Sequence, residues 1–101
     1  MSYTYICQFD VAPGKELEFE HSYGANGDGV TLFKTDPLYI EIELFRDMQH
    51  SDRCVTIDRW KIREAYLAFK QHHRMEFDAL DVQCDALTVH EILLGKYESV
   101  E

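Results

Sequence analysis

The feature that most constrains this sequence is a strand that runs straight into a helix, from Arg53 to Asp81: RCVTIDRWKIREAYLAFKQHHRMEFDALD. Its opening, Cys54-Val55-Thr56-Ile57-Asp58-Arg59-Trp60, is rich in β-branched residues and alternates in polarity, as a half-buried strand does. Beyond Trp60, residues Ile62, Ala65, Tyr66, Phe69 and His73 recur at spacings of three and four, which draws one stripe down a helix. A break is expected near His72-His73-Arg74, after which Phe77, Leu80, Asp81 and Cys84 form a second stripe. A strand feeding an amphipathic helix is half of a β-α-β unit, and Trp60 sits at its hinge.

The remaining segments supply the other half. Tyr3 to Val11 alternates, with Tyr3, Tyr5, Cys7, Phe9 and Val11 on one face and Thr4, Ile6, Gln8 and Asp10 on the other. Ala12-Pro13-Gly14 punctuates it, and a helix is predicted over Lys15 to Tyr23, burying Leu17, Phe19 and Tyr23. Its acids Glu16, Glu18 and Glu20 suit the positive end of the helix dipole. Gly24-Ala25-Asn26-Gly27-Asp28-Gly29 predicts a loop, because Gly and Asn tolerate positive φ. It lacks the strand-loop-helix setting and the Lys-Ser/Thr pair of a phosphate cradle. Val30 to Phe33 predicts a helical turn, ended by Asp36-Pro37. Leu38 to Arg46 is the second strand, with Leu38, Ile40, Ile42 and Leu44 on its apolar face. Asp47 to Asp52 connects it to the third, and Leu87 to Tyr97 is the last.

The order β-α-β-β-α-β predicts an α+β, ferredoxin-like fold: a four-stranded antiparallel sheet with the helices on one face. The other face is expected to carry Ile6, Gln8, Tyr39, Glu41, Glu43 and Phe45, together with Thr56, Asp58 and Trp60. Left bare, it presents an apolar patch of the kind that marks a contact surface. Two such sheets closing face to face in a two-fold homodimer would cover it. A solvated face is the plainer alternative, since antiparallel sheets often keep one wet side.

Composition narrows the partners. A length of 101 residues predicts a single domain over 1–101, with a modest core. Six Tyr, six Phe and one Trp exceed what such a core easily hides, which points again to a second subunit. A formal charge of −9 without a Lys/Arg cluster repels nucleic acid and anionic membrane surfaces, so neither is expected as a partner. Cys7, Cys54 and Cys84 are an odd set without metal spacing, which predicts reduced thiols and a cytoplasmic location. No targeting segment or transmembrane run is recognised. The five histidines show no metal spacing, and adjacent His72 and His73 stand about 100° apart on a helix, so no metal site is expected.

Each candidate for chemistry has a structural counterpart. Trp60 offers a rigid face for a planar ligand, or fills a core or interface. Tyr66 could hydrogen-bond a phenolate, yet lies on the apolar stripe where core packing is the commoner role. Glu41 and Glu43 share a strand face and could share a proton if buried. Glu91, set between apolar neighbours, needs a partner, and Arg59 is the expected one in a structural ion pair. Glu43, Phe45 and His73 are further candidate ligand contacts.

Three patterns carry a resemblance: Phe19-Glu20-His21-Ser22-Tyr23-Gly24, then Gly27-Asp28-Gly29 with Leu32-Phe33, then Asp58-Arg59-Trp60 followed by Tyr66, Phe69, Glu91 and Gly95. Together they resemble the small single-domain branch of the antibiotic-biosynthesis-monooxygenase superfamily. The resemblance implies a dimeric α+β barrel. It also implies cofactor-independent oxidation of phenols or quinols by molecular oxygen, in which the substrate itself supplies the electrons. The pocket of such enzymes holds a Trp at the end of the third strand and a Tyr in the following helix, matched here by Trp60 and Tyr66. Where they place an Asn on the third strand, this chain has Thr56, which lacks the paired donor and acceptor of an amide. Haem-degrading relatives use a His on the second helix and an Asn on the first strand; His72 and His73 are present, but the strand offers Gln8. Two functions are therefore expected. One is a cofactor-independent monooxygenase or binder of a small aromatic or quinone-like metabolite, using Trp60, Tyr66 and Thr56 in a pocket between sheet and helices. The other is a non-catalytic dimeric binding or accessory module of the same fold.

Overall fold

The computed structural model describes residues 2–24 and 27–100; Ala25 and Asn26 of the expected glycine loop lie outside the described residues. The elements run β1 (Tyr3–Val11), α1 (Glu16–Tyr23), α2 (Asp28–Phe33), β2 (Tyr39–Arg46), β3 (Arg53–Trp60), α3 (Arg63–His72), α4 (Arg74–Leu87) and β4 (Thr88–Glu98). The strands form one antiparallel sheet in the order β2-β3-β1-β4, with the helices packed on one face, as the ferredoxin-like pattern predicts.

The alternation of β1 fixes that face. Tyr3, Cys7, Phe9 and Val11 are buried beneath the helices. Around them lie two clusters, one built with Phe19, Cys84 and Leu87, the other with Phe33, Trp60, Tyr66 and Phe69. The helical stripe is buried at Ala65, Tyr66 and Phe69, and the chain breaks at His73, whose φ of −110° and ψ of 38° leave the α region. The expected break is therefore present.

The third strand faces the other way from expectation. Its register pairs Tyr3 with Trp60, Tyr5 with Asp58 and Cys7 with Thr56. Directly opposed residues share a face, so Thr56, Asp58 and Trp60 point to the helices, not to the uncovered side. Alternation shows that two faces differ but not which one turns inward; the pairing with β1 decides that, and it buries Trp60 completely.

β2 changes parity within its own length. Tyr39 opposes Trp60 while Glu41 opposes Arg59, so Ile40 is an extra residue in a bulge. Tyr39 accordingly turns inward against Phe33 and Trp60, while Leu38 and Ile40 are 37% and 44% exposed. This reverses the expected placement of all three. Past the bulge the pattern is as read: the register sends Ile42 and Leu44 inward, and Glu41, Glu43 and Phe45 outward. In β4 two further irregularities skip Val89 and Leu94, so Glu91 shares the helix side with Phe9 while Ile92 lies on the uncovered side. Arg59 and Glu91 thus stand on opposite faces, and the expected ion pair between them does not form. Arg59 instead pairs across β2 with Glu41, at 3.0 Å, and with Glu43.

The glycines after α1 are required for room more than for φ. Gly24 and Gly27 have φ of −76° and −83°, and among the described residues only Gly14, at 80°, is left-handed. A Cβ on Gly27 would lie 2.2 Å from the Ser22 carbonyl oxygen, so only glycine lets the chain turn back there into α2.

Candidate active site

A cavity of about 120 Å³ lies between the sheet and the helices. β1 contributes Tyr5 and Cys7, β3 contributes Thr56 and Asp58, and β4 contributes Glu91. Tyr23 of α1, Tyr66 of α3, and Phe77 and Leu80 of α4 form the opposite wall. The exposed residues Lys70, Asp81 and Gln83 stand at its mouth. Gln83 Nε2 donates to Ser22 Oγ and Asp28 Oδ2 at 3.4 Å, which ties α4 to the α1–α2 pair.

Burial sets the electrostatics of this space. It pushes the phenols of Tyr5, Tyr23 and Tyr66 well above their ordinary range, so all three stay protonated and able to donate. It raises the Cys7 thiol to about 11, which keeps it neutral. Asp58 is lifted to about 7 by burial, with no ion pair among the described residues to offset the loss of water. Its Oδ1 is shielded from solvent and has no hydrogen-bond partner among the described residues. Glu91 and Asp81 are also raised, first by burial; neighbouring carboxylates add to it at both, while at Asp81 the Lys70 ammonium works against it. The cavity is lined with phenols and three carboxyls, and among the described residues only Asp58 has a carboxyl oxygen that is both sealed from solvent and without a partner.

The residues named from sequence divide into four groups. Thr56, 3% exposed, and Tyr66 are on the cavity wall. Trp60 stands behind Tyr66, ring centroids 5.7 Å apart, and is enclosed by Tyr39 and Phe69 at 5.3 Å and Phe33 at 5.9 Å. It does not reach the wall, and its Nε1 has no partner among the described residues. His73 lies off the cavity against Phe69, centroids 4.3 Å apart, with Nδ1 4.0 Å from Glu76. Glu43 and Phe45 are on the uncovered face of the sheet. Asp58 was missed. Its signal was present in the sequence, as a carboxylate two residues from both Thr56 and Trp60 and therefore on their face.

With this geometry the chain superposes on several solved proteins. SnoaB, a cofactor-independent oxygenase from Streptomyces nogalater, matches in a variant form at a TM-score of 0.78 and 18% identity, over 99% of this chain and 94% of that one. A candidate antibiotic biosynthesis monooxygenase from Bordetella bronchiseptica matches at 0.78 and 17%, over 99% and 98%. Rv0793 from Mycobacterium tuberculosis matches at 0.77 and 12%, over 100% and 97%. The chain has the antibiotic-biosynthesis-monooxygenase fold. No family model and no curated protein matches the sequence itself. Among the described residues, no group of three or more His, Cys, Asp or Glu side chains is arranged to hold a metal ion, and no helix is long and apolar enough to cross a membrane.

Proposed function

We propose that this protein binds a small phenol- or quinol-like metabolite between its sheet and helices and oxidises it with molecular oxygen, without a bound cofactor. The observation that carries the proposal is the phenol-lined cavity, set in a fold shared with a cofactor-independent oxygenase. Tyr66 and Thr56 contact the ligand. Trp60 acts as a positioning residue, holding the Tyr66 ring from behind. A volume of about 120 Å³ is comparable to, and a little below, the roughly 150 Å³ apolar cavity that takes up benzene, so it limits the ligand to one aromatic ring. Glu43 and Phe45 belong instead to the uncovered sheet face, which we assign to contact with a second copy of the chain in the cytoplasm.

A second reading is favoured by one observation. Thr56 replaces the amide that the resemblance would place on this strand, and a barrel without that group serves as a binding or accessory module. Oxygen uptake, measured with hydroquinones, catechols, naphthols and anthrols, separates the two. Uptake with single-ring quinols that falls in Tyr66→Phe and Thr56→Val supports the oxygenase. Binding without uptake supports the module, and neither binding nor uptake across the panel removes both.

A further inference from the structure

We propose that Asp58 is the group that accepts the ligand's hydroxyl proton, so that the cavity selects an uncharged, hydroxyl-bearing single ring. The inference deepens the proposed function and rests on it. Asp58 lines the cavity from the second half of β3, and its Oδ1 is sealed from solvent without a partner among the described residues. Asp58 is half-buried as a residue, but a sealed carboxyl oxygen without a donor is costly, and native structures seldom keep one without use.

The groups facing Asp58 from each neighbouring element leave this vacancy open. β1 presents Tyr3, Tyr5 and Cys7; β2 presents Tyr39; α3 presents Tyr66, with Lys70 at the mouth; α1 presents Tyr23; α4 presents Asp81; β4 presents Glu91. No Lys or Arg among the described residues forms an ion pair with Asp58. The phenols and Cys7 are held neutral by burial, so they add no charge beside Asp58. With Glu91 and Asp81 nearby, an anionic ligand such as a carboxylate or phosphate ester would be repelled. A hydroxyl donor would complete the site: its O–H donates to Oδ1, and a charge-assisted bond of this kind is roughly twice as strong as a neutral one. If transfer follows, the O–H bond breaks, the proton passes to Oδ1, and the electron pair remains on the ligand as a phenolate. Net charge in the cavity is then unchanged. Because Asp58 gains its charge at about pH 7, the bond forms fully only above that value.

The test is calorimetric binding of phenol and of toluene, which match in size, between pH 5.5 and 8.5. Wild type, Asp58→Asn and, as a control on the exposed face of α3 outside the cavity, Glu64→Gln are compared. The expected result is that phenol gains about tenfold in affinity over toluene as pH rises through 7. Glu64→Gln should keep that gain and Asp58→Asn should lose it. Equal binding of both rings at every pH overturns the role of Asp58 and leaves the ligand pocket standing. A preference for phenol that survives Asp58→Asn, or disappears in Glu64→Gln, also overturns it. Binding of neither ring overturns the single-ring pocket and the inference together. Should Asp58→Asn fail to fold, a flat pH dependence in wild type is sufficient to refute the inference.

Discussion

At the scale of single residues, the protein carries polar groups whose burial has not been compensated, and these make sharp predictions. Asp58 moves from an ordinary 3.8 to about 7 on folding, which makes its ionised form in the folded state roughly 4 kcal/mol costlier than in the unfolded chain. The folded value lies above the unfolded one, so the folded protein holds this proton more tightly. The stability it contributes is complete below about pH 3.8, declines as pH climbs to about 7, and is flat beyond. Urea denaturation of Asp58→Asn should therefore show a gain over wild type of about 1–4 kcal/mol at pH 8 and little at pH 4.5. Some slope will remain in the variant, since Glu91 and Asp81 are displaced in the same direction. A variant less stable than wild type at pH 8 would show that Asp58 has a partner in solution. Tyr39 gives a simpler case, because its hydroxyl is buried without a partner among the described residues. Tyr39→Phe deletes an unsatisfied group, and the expected outcome is a stability gain of about 1 kcal/mol, read as a rise of a few degrees in melting temperature.

At the scale of elements, irregularities decide what the cavity contains. The bulge at Ile40 brings Tyr39 over Trp60 and leaves Glu41, Glu43 and Phe45 on the far side. The tight return between α1 and α2 places Ser22, Tyr23 and Val30 around the cavity, and Gly27 makes that return possible. Two glycine substitutions separate steric from conformational demand. Gly27→Ala puts a methyl within 2.2 Å of a backbone carbonyl oxygen that cannot swing away, and is expected to cost about 1–3 kcal/mol. Gly14→Ala meets nothing within 4 Å, yet forces a side chain into φ of 80°, at a cost of about 1–2 kcal/mol. Thermal melts of both will be lowered. Only Gly27→Ala should also weaken ligand binding, because Gly27 lies between the cavity-lining residues Ser22-Tyr23 and Gly29-Val30, whereas no residue from Asp10 to His21 lines the cavity.

At the scale of the molecule, one sheet face is covered by helices and the other is not. The uncovered face presents Phe45, Ile92 and Tyr97, each about half exposed, beside the Arg59 cluster with Glu41 and Glu43. Sedimentation at micromolar concentration should report twice the chain mass of 11.9 kDa, and Phe45→Glu should return the single-chain value. Each chain carries a formal charge of −9, so salt should tighten the pair by screening their repulsion. A single-chain mass at all ionic strengths would remove the proposed interface.

Local chemistry alone set the order of strands and helices, the inward face of β1, the apolar stripe of α3 and the break at His73. Each of these rests on spacing between near neighbours, and that spacing can be read from the chain. Tertiary structure decided the rest. An alternating strand looks the same whichever way it is turned, so the inward orientation of Thr56, Asp58 and Trp60 waited on a register formed with residues about fifty positions earlier. The bulges at Ile40, Val89 and Leu94 likewise arise from pairing between strands and have no signature within one strand. A cavity is what remains after every neighbouring side chain has been packed. For that reason Asp58, an ordinary polar residue in the alternation, became an unpaired acid in a phenol-lined space only when the sheet and helices closed over it.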